Sequence, residues 1–369
     1  MATETPQPGP PQPAVLVDSS KPLRIILEQG AARGLARFGR WLLFTILGIS
    51  LIMNFDFLSS KMAFEDEDGV VERYHSLSKD AHDKIAIIDV EGAILHSDGF
   101  VKKQIDRARK DETVKAVVLR VDSPGGTVTG SDYLYHHLQE LVADRKIPMV
   151  VSMASVAASG GYYIAMAAGD KEHSIYAEPT TWTGSIGVII PHYDLSSLLT
   201  RWDIADDSIS SHPLKQMGSL THQVSKEERE EERAILKGLV DDSFGRFKEI
   251  VLKSRSALRN NPEWQADVFT GRIFAADQAK ARGLVDDLGY IEDAIDQAVT
   301  QAGLSKSRVK VVKYTKHAGL FDALLSAEIR SGAAPASLKA DLAALVDLTT
   351  PRAFYLCSWA PALGSAAGH

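Results

Sequence analysis

Cysteine is nearly absent: Cys357 stands alone in 369 residues. No disulfide can form within the chain, so the fold must rest on its core. A lone Cys outside a Gly-rich or His-paired setting also argues against a thiol nucleophile or a Cys-built zinc site. Basic charge is short as well. Lys and Arg number 41 against 48 Asp and Glu, a net charge of -7, and this mild acidity argues against a nucleic-acid binder, which usually shows a basic stripe. Apolar residues are not short: 45% are hydrophobic and 24% charged, an ordinary balance for a chain that buries a core. No nucleic-acid partner is expected.

Long apolar runs are also scarce, and the one present lies near the N-terminus. Residues 1–22 are rich in Pro, Gln, Thr and Ser without apolar periodicity and read as a disordered tail. Residues 23–60 hold Arg24, Arg33, Arg37 and Arg40, then the run WLLFTILGISLIMNFDFL from Trp41 to Leu58. At about 20 residues for a full span, this run is short, yet with a snorkelling Arg40 and local thinning it can cross. Arginines before it and Glu65, Asp66, Glu67 and Asp68 after it orient the N-terminus to the cytoplasm. No small-x-small cleavage site follows, so an uncleaved signal anchor is expected rather than a removed leader. Residues 61–83 read as a linker.

From Lys84 the pattern alternates. KIAIIDV (84–90), VKAVVLRVD (114–122), PMVVSMASV (148–156), SIYAE (174–178), GVII (187–190) and VKVVKY (309–314) read as strands. Helical spacing fills 99–114, 129–144, 159–168 and 194–201, a long charged helix 225–259, and a helix from Tyr290. Ser225 with Glu228 has capping-box spacing. The alternation predicts an α/β fold with strands buried on both faces. Residues 317–369 read as a C-terminal helical extension or tail.

Three Gly- and Ser-rich stretches sit where strands end. RVDSPGGTVTG (120–130) leads a buried strand into two glycines and a helix. Such glycines serve either a tight turn or a backbone that presents N–H groups to a developing oxyanion. SVAASGGYYIAMAAG (155–169) puts Ser159 between a buried strand and a helix rich in small residues. Ser159 there is either an N-cap or an unencumbered nucleophile, with the N–H groups of Gly160 and Gly126 as its oxyanion hole. TTWTGSIGVII (180–190) is a hydroxyl-rich turn. A serine hydroxyl needs a base. His173, His192, His212 and His222 lie in no distinctive setting, and a lysine can serve when desolvation favours its neutral form. Lys215, in HPLKQMGSLTHQVSKEE (212–228), sits in a polar, turn-rich segment, but spacing alone does not select it over a surface lysine.

Taken in order, RVDSPGGTV, AASGGYYIA, TGSIGVI, the Lys215–Gly218 stretch before SKEE, and GRIFAADQAKARGLVDDLG resemble the signal peptide peptidase A family over residues 84–301. The resemblance implies a Clp protease–crotonase fold, a spiral of strand–helix units within 84–316, assembled as a homo-oligomeric ring. It implies Ser159 as nucleophile, Lys215 as general base from a neighbouring protomer, Ser185 orienting the lysine, and Gly126 and Gly160 as oxyanion donors. It implies no metal or cofactor. Peptide substrates, remnant signal peptides among them, are expected, on the outer face of a bacterial-type inner membrane. A crotonase-type acyl-CoA enzyme and a non-catalytic scaffold of the same fold are the alternatives. A Clp-type Ser-His-Asp peptidase would need a positioned histidine, and none of the four stands out.

Overall fold

The computed structural model describes residues 38–52, 54, 69–96, 98–316 and 353–356. The expected tail, the end of the expected anchor, residues 61–68 of the linker, Cys357 and most of the C-terminal extension lie outside these residues. The chain divides into two units, residues 1–63 and 64–369. In the first, residues 38–52 form helix α1, with Trp41, Leu43 and Phe44 exposed. Among the described residues no helix is long and apolar enough to cross a membrane.

The second unit is built on a nine-stranded mixed sheet. In chain order its elements are β1 (Val70–Leu77), β2 (Asp83–Glu91), α2 (Phe100–Lys110), β3 (Val114–Ser123), β4 (Gly125–Thr127), α3 (Val128–Arg145), β5 (Met149–Ala158), α4 (Gly160–Ala165), β6 (Ile175–Ala177) and β7 (Trp182–Gly184). They continue with α5 (Ser196–Arg201), α6 (Lys226–Ser254), α7 (Ser256–Arg259), α8 (Pro262–Val268), β8 (Ile273–Ala275), α9 (Ala276–Ala281), β9 (Asp287–Leu288), α10 (Ile291–Gln301), β10 (Val309–Lys316) and β11 (Phe354–Leu356). The strand order is β1-β10-β2-β3-β5-β6-β9, with β7 beside β5 and β8 beside β7. Pairings along the centre, from β10 through β2, β3, β5 and β6 to β9, are parallel.

The central strands are covered on both faces, which is why they are so uniformly apolar. Alternate residues go to opposite layers. Ile85 and Ile87 of β2, with Ala116 and Val118 of β3, pack on Ala294, Ile295 and Ala298 of α10. Ala86, Ile88 and Val90, with Val117, Leu119 and Val121, face the layer containing Leu134 and Leu138 of α3, Tyr162 and Tyr163 of α4, and Phe247 of α6. This α/β architecture with its large parallel sheet fits the Clp–crotonase type.

Four elements differ from the sequence reading. The sheet starts before Lys84: β1 lies antiparallel on β10, although its mostly polar VVERYHSL gives little apolar signal. The strand expected at 187–190 is a single bridge from Ile189 to Phe354. The long charged helix stops at Ser254, restarting as α7, because Arg255 (φ -134°) leaves helical geometry. Residues 354–356 of the C-terminal extension are strand rather than helix.

The break at Arg255 has a structural use. Its guanidinium is buried, donating from Nε to the Gly283 carbonyl at 2.8 Å and pairing with Asp286 at 2.7 Å. The other oxygen of Asp286 accepts from the N–H groups of Ser174 and Ile175, both at 2.9 Å. Arg255→Ala would leave that half-buried carboxylate without its cation. We expect a loss of about 2–4 kcal/mol in unfolding free energy by denaturant titration, below the full cost of an uncompensated buried charge because the carboxylate is partly exposed; a loss under about 1 kcal/mol would show the pair to be structurally idle.

Candidate active site

Strand β5 ends at Ala158, and the next residue, Ser159, has φ 54° and ψ -115°. A non-glycine residue in that region is strained and persists only when its surroundings fix it. Here both backbone groups are held. Ser159 N–H donates to the Gly184 carbonyl at 2.8 Å, and its carbonyl accepts from Tyr163 N–H at 2.8 Å. The residue is 1% exposed, and its Oγ has no hydrogen-bond partner among the described residues. An N-cap serine would spend that oxygen on a helix N–H; Ser159 makes no such bond. The capping alternative therefore fails, and the hydroxyl is left available.

The turn after β3 comes up against this serine. Gly125 has φ +103°, reachable without strain only by glycine. A Cβ there would stand 2.7 Å from Gly160 N and 3.1 Å from Ser159 Cβ. At Gly160 a Cβ would meet Ser131 Oγ at 2.4 Å and Gly126 N at 3.1 Å. The two backbone segments thus touch without room for a side chain, and the amides of Gly126 and Gly160 lie close to each other beside Ser159. The turn is tied down on its far side, where Ile94 N–H donates to the Gly125 carbonyl (2.8 Å) and Thr127 N–H to the Ile94 carbonyl (2.9 Å).

The TGSIG turn joins the same cluster through its backbone. Gly184 accepts from Ser159, and Ser185 (φ 52°, buried) donates its N–H to the Arg272 carbonyl at 2.7 Å. Ser159, Gly160, Gly126 and Ser185 are therefore assembled within one chain. Lys215 is not part of this assembly. It lies on the 3-10 turn Pro213–Gln216, exposed, with no hydrogen bond or ion pair for its ammonium among the described residues.

Missing from the sequence reading was the segment that lies on the site. β11 pairs antiparallel with β4, Tyr355 opposite Gly126, and Val128 N–H donates to the Ala353 carbonyl at 3.1 Å. On its other edge Phe354 and Ile189 exchange two hydrogen bonds, at 2.9 and 3.0 Å. A Cβ on Gly125 would be 2.1 Å from the Tyr355 carbonyl oxygen, so this carbonyl points into the space shared by Gly160 N and Ser159. The Tyr355 side chain is fully buried, its ring centroid 4.9 Å from that of Tyr163 and 4.6 Å from that of Phe247. Its hydroxyl donates to the Ser243 carbonyl at 2.8 Å. Burial pushes the Tyr355 phenol well up, as it does Tyr163, so both remain neutral donors. Tyr163 donates to Asp132 at 2.6 Å, which also holds Arg246. The available signal was the short aromatic run Phe354-Tyr355-Leu356 after Pro351.

Among the described residues one group has metal-ligand character, His136, His137 and Glu140 on α3. Glu140 is already engaged by Arg109 at 2.8 Å, which holds its carboxyl down at about 2.

A strained serine after a strand, with glycine amides beside it, is the local geometry of a serine hydrolase. Comparison with known proteins narrows that class. Peptidase family S49 matches residues 142–305. A Synechocystis protein carrying the name of a protease is 39% identical over 231 residues, covering 62% of this chain and 78% of the relative. An Enterococcus faecium protein named for signal peptide peptidase SppA is 37% identical over 206 residues, 56% of each chain. Protease 4 of Salmonella typhi is 34% identical over 230 residues, 60% of this chain but 35% of that protein. The chain thus spans well under two thirds of the latter two. It belongs to peptidase family S49, the signal peptide peptidase A family, and is a serine peptidase by class.

Proposed function

We propose that the chain is a membrane-anchored endopeptidase in which Ser159 attacks the peptide carbonyl and Lys215 of an adjacent protomer is the base. The observation that carries this reading is the buried, unpartnered Oγ of Ser159 beside the amides of Gly126 and Gly160. The base takes the Ser159 proton and the alkoxide adds to the carbonyl. The two glycine N–H groups hold the oxyanion, and the protonated base then gives its proton to the leaving amine. Water enters on the same base and releases the acyl group. Ser185 positions the lysine.

Two features support a base supplied in trans. The Lys215 ammonium is exposed and unpaired among the described residues, and Tyr193, Trp202, Ile204 and Ile209 expose apolar surface on the segment leading to it. Exposed apolar surface of this kind marks an association surface, and contact with a second copy would take water from the amine, as a neutral base requires. A homo-oligomeric ring with one site per junction follows. Residues 41–58 serve as the anchor, N-terminus cytoplasmic and catalytic unit on the outer face of the inner membrane, and membrane-proximal peptides such as remnant signal peptides are the substrates.

Peptides would bind as an added antiparallel strand, in the register that β11 takes on β4. The chain's own segment then competes with them. Ending the chain at residue 352 is expected to lower KM for exogenous peptides severalfold with kcat little changed. A raised KM would mean that β11 is part of the binding surface rather than a rival for it. The reading as a whole is tested by peptide hydrolysis with the purified full chain; no turnover across a broad peptide panel would withdraw it.

A further inference from the structure

The strand register on β4 also fixes what lies upstream of the carbonyl at the oxyanion site. Ala353 is two residues before Tyr355 and shares its face of the strand. Its small side chain borders a cavity of about 720 Å³ between the start of α3, α6 and the loop after β2. The walls include Leu95, Ile190, Leu236 and Leu239. The polar lining is not neutral. Asp98 and Asp242 both face the cavity, and neither carboxylate has an ion pair or hydrogen bond among the described residues. No lysine or arginine lines it there; His96 is the one other titratable group.

Apolar walls with free carboxylates at the rim match one kind of side chain, a long aliphatic stem ending in a cation. We propose that this cavity is a specificity subsite for a lysine or arginine two residues upstream of the scissile carbonyl, with Asp98 and Asp242 reading its charge. The proposal rests on the peptidase reading above, with β11 marking the path of the substrate. It selects a substrate class: peptides in which a basic residue precedes, by one intervening position, a bulky residue seated against Tyr163 and Phe247. Such a pattern arises where a positively charged stretch gives way to an apolar one, the boundary that secretory leader sequences carry.

Four peptides identical except for Lys, Arg, Ala or Glu at that position test it, with the full chain in detergent. Two readouts are taken: kcat/KM on the active protein, and Kd by fluorescence anisotropy on the Ser159→Ala protein, which needs no turnover. The Lys and Arg peptides should exceed Ala by about three- to tenfold, two partly screened ion pairs being involved, with Glu below Ala. In Asp98→Asn/Asp242→Asn protein the Lys-to-Ala ratio should fall to near one, and in the parent it should narrow as salt is raised. Equal Kd values for Lys and Ala, or a preference that survives the double substitution, would overturn the subsite. Loss of turnover for every peptide with the Kd ratio intact would refute the peptidase reading and leave the subsite standing.

Discussion

Lys215→Ala is expected to lower kcat/KM by about 10⁴-fold or more, as removal of the base does in other serine peptidases, with secondary structure and assembly unchanged. The side chain is exposed and makes no bond among the described residues, so its loss removes little packing. The informative arm is complementation. Co-expressing Lys215→Ala chains with Ser159→Ala chains gives assemblies in which some Ser159 residues meet an intact Lys215 across a junction. With random mixing about a quarter of the sites should be competent in a closed ring, although each variant alone is inactive. Absence of recovery in demonstrably mixed assemblies would place serine and base in one chain. Retained activity in Lys215→Ala alone would discard the lysine.

Gly125→Ala is the second large effect. The new methyl would demand φ +103° of an L-residue and stand 2.1 Å from the Tyr355 carbonyl oxygen and 2.7 Å from Gly160 N. The turn can relieve this only by withdrawing from Ser159, which moves the Gly126 amide off the oxyanion position. Loss of one such donor costs about a hundred- to a thousandfold in kcat. We expect that loss, together with a destabilisation of about 1–3 kcal/mol from the strained backbone, measured by steady-state kinetics and thermal unfolding on the same preparation. Unaltered kcat would mean that the Gly126 N–H is not a donor to the transition state.

Much of this arrangement is legible in the residues. The runs KIAIIDV, VKAVVLRVD and PMVVSMASV are apolar on both alternations, which only a strand covered on two faces requires, and they form the neighbouring strands β2, β3 and β5. Ser159 follows such a strand and precedes two glycines, so its position at a crowded turn could be read before its strained φ was known. Other parts are not local properties. β1 is an edge strand whose polar residues carry no period, and β11 joins β4 only through a fold that brings distant segments together. At 187–190 the apolar run GVII looks like a strand, yet the chain has left the sheet by then, and among the described residues only Ile189 finds a strand partner, Phe354. Lys215 is the extreme case: nothing about its spacing separates it from a solvated lysine, because in the proposed arrangement what would make it a base lies on another copy. Its assignment comes from family resemblance, whereas that of Ser159 also has a physical basis in the chain itself.

The most direct test of the account is peptide hydrolysis by the full-length protein beside its Ser159→Ala variant, both confirmed folded by circular dichroism. Cleavage by the parent and a loss of about 10⁴-fold or more in the variant is the predicted result. Substantial cleavage by Ser159→Ala would contradict the account, since the buried, unpartnered hydroxyl beside the glycine amides would then not be the nucleophile.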